Sequence, residues 1–155
     1  MPADPLAPAS FTLPALRIDT DGDWWDGDGR ITHPGLVASL VASLRQDADG
    51  YFIQTRVRVP VQVEEAPFVV TRVARVGDAL RAWLSDGSEE AIDPATLRVS
   101  ERDVPRCVTS RGFDARLSRA AAFQLLALLD GDGPSGPGVL RVGARTYRIP
   151  GLRSD

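Results

Sequence analysis

The chain has 155 residues, 43% of them hydrophobic and 25% charged, with a net charge of −3. That length can bury one good core or two small subdomains, and the ordinary apolar content sets disorder aside except at the ends. The acidic balance argues against sequence-independent binding of nucleic acid, which needs a strongly basic surface.

Other classes fall away on similar grounds. All 18 basic residues are arginine, and Lys and Asn are missing altogether. Folding does not demand this but GC-rich codon usage does, so a high-GC bacterial source is expected and arginine number alone is discounted as a signal. Cys107 is the one cysteine, so an intrachain disulfide is impossible and a cysteine-based zinc site is unsupported. Met1 to Leu16 holds four prolines and no positive n-region, unlike a signal peptide. No apolar run approaches the roughly 20 residues that span a bilayer. The expected location is the cytoplasm, with no membrane partner.

In chain order, residues 1–10 read as a Pro/Ala lead-in. Leu16 to Asp19 and Trp24–Trp25 read as short strands around the turn at Asp21–Gly22, with another turn at 26–29. Thr32 stands where an N-cap belongs and Pro34 follows it, and Leu36, Val37, Leu40, Val41 and Leu44 predict a helix over 33–46 ended by Asp49–Gly50. Tyr51 to Gln54 is the next strand, and Arg56 to Glu65 alternates with Val57, Val59, Val61 and Val63 on one face. Pro67 breaks the ladder as a proline at a bulge or sheet edge does. Phe68 to Val76 and Leu80 to Leu84 continue the β pattern, weaker strands follow near Ala91–Ile92 and Leu97–Val99, and Arg106 to Ser110 is another. Phe113, Leu117, Ala121, Leu125 and Leu128 predict a second helix over 114–129, followed by a glycine-rich loop over 131–138 and a hairpin of Val139–Val142 with Thr146–Ile149. Strands, a helix, an aspartate–glycine stop and strands thus occur twice. The expected fold is α+β, with two small related subdomains of antiparallel strands, each packed on one helix. Their expected bounds are 11–62 and 63–153.

Signatures of catalysis fail. Asp19, Asp21 and Asp23 begin like a calcium loop, but Trp24 occupies the glycine position and Arg30 the place of the bidentate glutamate. An acidic turn is the reading. Gly131, Gly133 and Gly136 have dinucleotide spacing in the wrong context, after a helix and before a strand. His33 is the only histidine, so neither a Ser–His–Asp set nor a two-histidine metal set can be built. No cofactor is expected, and the chain leans away from enzymes.

Two motifs remain. In Val63–Phe68, alternation puts Glu65 on the valine face, where a carboxylate is costly unless a cation pairs with it or a bulge turns it out. In Arg111–Arg119, Arg116 and Arg119 fall in the first helical turns, with Arg111 just before. Cations are disfavoured at a helix N-terminus, so an anion is expected among them: Glu65, an acidic turn within Asp21–Asp28, or a ligand phosphate. Residues 98–119 hold six arginines against three acids.

These motifs carry a resemblance. Asp21-Gly22 with tryptophan behind it, Gly29-x-Ile31, the Leu36–Leu44 helix, Asp49-Gly50-Tyr51, Val63-Glu64-Glu65-Ala66-Pro67-Phe68 and Arg111-Gly112-x-x-Ala115-Arg116-Leu117-x-Arg119 are similar, in that order, to the bacterial domain of unknown function 1285 family. Glu65 replaces the family's usual aspartate, and Cys107 stands where an aromatic is frequent. The resemblance implies a duplicated core whose C-terminal half looks like a pleckstrin-homology barrel and helix. It also implies a nucleotide-like ligand between the halves and a role in signal transduction. On this reading Arg111, Arg116 and Arg119 would take the anion, Trp25 or Phe68 would stack, and Glu65 would orient an arginine. The alternatives are a protein-interaction module using a sheet edge at Pro67, or an enzyme using Glu64 and Glu65.

Overall fold

The computed structural model describes residues 13–100, 103–129 and 137–153. The lead-in, most of the glycine-rich loop and the Gly131–Gly136 motif lie outside the described residues. Contacts divide the chain into two units, Met1–Asp19 with Asp23–Glu64, and Thr20–Gly22 with Glu65–Asp155.

In the first unit, Leu16 and Ile18 are buried on either side of Arg17, which makes β1 (Leu16–Ile18) a strand with one wet face. It pairs antiparallel with β2 (Trp24–Asp26), and β2 with β3 (Gly29–Arg30). Helix α1 (Pro34–Ser43) follows. Its N-cap is His33 and not Thr32: the imidazole Nδ1 accepts the Leu36 N–H at 3.2 Å, with Pro34 at the first helical position. The helix stops at Ser43, short of 46, because Leu44 is fully buried as the first residue of β4 (Leu44–Asp47), opposite Ile53. Asp49–Gly50 is therefore the tight turn from β4 into β5 (Gly50–Gln54), with Gly50 at φ +113°. β6 (Arg58–Val63) buries Val59 and Val61, while Val57, before the strand begins, is exposed.

The second unit opens with β7 (Phe68–Val76), spanning the residues that the sequence predicts, then β8 (Ala79–Leu84) and β9 (Glu89–Ile92). A 3-10 turn, Pro94–Thr96, leads to β10 (Arg98–Val99), β11 (Pro105–Val108) and β12 (Asp114–Leu117). Residues 114–117 are thus a strand and not the start of a helix. Burial of Ala115 and Leu117 between half-exposed Asp114 and Arg116 is the two-residue period of a pleat. Helix α2 (Arg119–Leu128) begins where the Ser118 hydroxyl caps Ala121 N–H at 3.1 Å. It lies on β7 and β12, with Ala121 and Leu125 fully buried and Gln124 accepting the Val73 N–H at 2.9 Å. A hairpin, β13 (Pro137–Val142) and β14 (Arg145–Arg153), completes the unit, with β14 against β10 and the 3-10 turn.

The two six-stranded sheets share one topology. The orders β3-β2-β1-β6-β5-β4 and β9-β8-β7-β12-β11-β10 are each two three-stranded meanders joined through their first and last strands. That central join is parallel in both sheets, β1 with β6 and β7 with β12. The expectation of antiparallel strands throughout is corrected at these two pairs: both sheets are mixed. α1 occupies the place of the 3-10 turn, and α2 follows its sheet, so the two helices are not equivalent. Pro67 precedes β7, an internal strand, so it does not mark a sheet edge.

Candidate anion site

The site is built by register. On β10, β11 and β12, Arg98 stands opposite Arg106, and Arg106 opposite Arg116. Like charges placed directly opposite one another destabilise a sheet. Here acids intervene. Asp114, on the same face as Arg116, receives Arg98 Nη2 at 2.5 Å and Arg106 Nη1 at 2.9 Å. Glu65 lies 3.0 Å from Arg116 Nε, and Asp21 Oδ1 lies 3.7 Å from Nη2. The Thr20 carbonyl accepts from Nε at 2.8 Å and also from Nη2.

Burial grades the row. The side chains of Arg106 and Arg116 are each 16% exposed and that of Arg98 42%. Half-buried guanidinium groups are less screened than surface ones, so these pairs are worth more than ordinary surface bridges. Arg106 directs Nη1 to Asp114, and among the described residues its Nη2 and Nε have no partner. A guanidinium presents five N–H donors in a rigid fork, so the middle of the row retains capacity for an anion.

The residues that sequence alone nominates scatter around this row. Glu65 meets a cation, and it is Arg116. Arg116 lies on a strand and not at a helical entrance. Arg119 is the first residue of α2 and exposed, with no ion pair among the described residues. The Arg111 guanidinium lies 4.9 Å over the Phe113 ring, whose centroid is 5.9 Å from that of Phe68. Phe68 and Phe113 are buried, so their rings pack the core rather than offering a stacking surface. Trp25 belongs to the first unit, where its indole N–H donates to Asp19 Oδ2 at 2.8 Å and Arg17 covers its ring at 5.0 Å. Asp19 Oδ1 accepts the Asp23 N–H at 2.9 Å, as an acidic turn does. Glu64 pairs with Arg17 at 2.6 Å. Sequence reasoning missed Arg98, Arg106 and Asp114; the surplus of arginine over 98–119 was their signal.

Chemically the row can hold and orient an anion. Cys107 points to the opposite face and is fully buried. Burial above all, then Glu90 and Asp114, pushes its thiol up to about 12, so near neutrality it is a packed apolar group and not a nucleophile.

No family model and no curated protein matches the chain. Among solved structures, a DUF1285 family protein from Shewanella baltica OS155 is 24% identical, with a TM-score of 0.65 over 74% of this chain and 91% of its own. A DUF1285 family protein from Silicibacter pomeroyi DSS-3 is 21% identical, with a TM-score of 0.70 over 92% of this chain and 86% of its own. The resemblance read from the sequence motifs is borne out in three dimensions: the chain has the DUF1285 fold.

Proposed function

We propose that the chain is a non-enzymatic sensor module of the cytoplasm that binds a small phosphorylated, nucleotide-like ligand on the arginine row. The observation that carries this reading is the direct opposition of Arg98, Arg106 and Arg116 on three neighbouring strands. A sheet gains nothing by juxtaposing three cations. An incoming phosphate would engage the unpartnered nitrogens of Arg106 and the exposed guanidinium of Arg98, with Asp114 holding both side chains in place. The reading keeps the second unit as a pleckstrin-homology-like scaffold, supported by a sheet followed by a helix and departing from that architecture at the parallel β7–β12 pair. Turnover is not part of the reading, because Glu64 and Glu65 are both engaged by arginines. Among the described residues no helix is long and apolar enough to cross a membrane.

Calorimetry with inorganic phosphate, pyrophosphate and a nucleotide panel tests it. Arg106→Gln is expected to weaken binding by about tenfold, the worth of roughly one charge-assisted hydrogen bond. Equal affinity in native protein and variant, or no heat from any of these anions, removes the proposal.

A further inference from the structure

A cleft lies in the C-terminal unit, and none of the residues of the arginine row lines it. It has a volume of about 370 Å³ and is bounded by β8, β9 and the turn between β13 and β14. Buried Leu80, Ile92 and Val142 contribute its apolar lining, and Tyr147 lines it as well. Its two charged residues, Asp78 and Arg145, have opposite signs.

Asp47, Glu64, Glu65 and Asp114 each find an arginine within 3.0 Å. Asp78 and Arg145 line one cleft yet do not meet, and among the described residues neither makes an ion pair. The turns that bear them are in contact. Gly143 has φ +62°, and a Cβ built there would stand 3.3 Å from Asp78 Cβ. A carboxylate and a guanidinium, both exposed, thus line one cleft of mixed polarity without pairing with each other.

We propose that this cleft binds a small zwitterion of the amino-acid class with an aliphatic side chain. Asp78 takes the ammonium, and Arg145 takes the carboxylate in a bidentate fork. The side chain lies against half-exposed Ala79 and Tyr147, where it leaves water. A zwitterion engages both charges, whereas a ligand with one charge engages only one of them. The volume suits a free amino acid or a very short peptide.

The test is a titration of the full chain with L-leucine at millimolar concentration, followed by amide NMR shifts. Isovalerate and 3-methylbutylamine, which share the side chain and keep one charge each, serve as controls. Leucine is expected to move the amides of Ala79, Leu80, Gly143 and Ala144. Asp78→Asn and Arg145→Gln are each expected to weaken binding about tenfold, as are the singly charged controls. Both substitutions lie at exposed positions, so folding is expected to survive and circular dichroism checks it. The proposal is overturned if leucine leaves these amides unmoved, if its effects fall on the arginine row, or if either variant or either control binds as tightly as native protein with leucine.

Discussion

The two six-stranded sheets follow one strand order but complete it differently. In the first, the chain passes from one meander to the other through α1, ten residues with no charged side chain and only Val41 buried. In the second, three residues of 3-10 turn make the passage, and a helix added afterwards closes over the central β7–β12 join with Ala121 and Leu125. One detail persists across the pair. Arg17 lies over Trp25 on β1–β2, and Arg72 lies 4.5 Å over Trp83 on the equivalent β7–β8. The lesson is that the parallel join and its flanking hairpins define the repeat, whereas helices are attached wherever a sheet needs cover.

Four measurements break or sharpen that comparison. The largest effect is expected from truncating a buried side chain of each helix. Leu125→Ala should cost about 2–5 kcal/mol in urea denaturation, as a buried leucine does. Val41→Ala, the equivalent cut in α1, should cost about half as much; equal losses would mean that α1 seals its sheet as α2 does. Next come the adjacent acids Glu64 and Glu65, which pair within different units. Arg116→Ala leaves Glu65 and the Thr20 carbonyl without their donor and should cost about 1–3 kcal/mol. Arg17→Ala removes a more exposed partner and should cost about 0.2–1 kcal/mol. A double-mutant cycle with Glu65→Gln separates the pair from its surroundings.

The third effect depends on pH. The Cys107 thiol is raised by burial from an ordinary value of 9.0 to about 12. The unfolded chain therefore ionises first, and the contribution is fully present below pH 9 and is lost as pH rises towards 12. Near pH 8 a thiol reagent should leave native protein unlabelled and react readily in urea; rapid native labelling contradicts the burial. The smallest effect belongs to Asp47 and Arg58 on the first sheet. The Arg58 guanidinium holds the Asp47 carboxyl below its usual range. Such a group stabilises the fold above the unfolded carboxylate value, and the contribution disappears as pH falls through the depressed one. Since both partners are exposed, Asp47→Asn should be slightly less stable than native protein near neutral pH, the gap should close in acid as the native carboxyl is protonated, and salt should erase it.

Much of the β framework was legible. β7 was read to the residue, and β6 and β8 to within two residues at either end, because alternation of buried and wet positions is written into the chain itself. The stretch 114–117 was misread because Leu117 serves two periods at once: it follows Phe113 and precedes Ala121 at helical spacing, and it follows Ala115 at strand spacing. Leu44 caused the same error at the end of α1. Of the candidate site, Arg116 and Glu65 were visible as an arginine and a carboxylate in need of partners. Arg98, Arg106 and Asp114 were visible only as a local surplus of charge.

By itself the sequence determined the pleat of most strands, the turns at its glycines, and an acid at position 65 that requires a cation. These are short-range matters, settled by side-chain period and backbone sterics within a few residues. Tertiary structure decided which strands lie side by side. The parallel joins, and the register that stacks Arg98, Arg106 and Arg116, depend on hydrogen bonds between segments distant in the chain, and no local period encodes a partner.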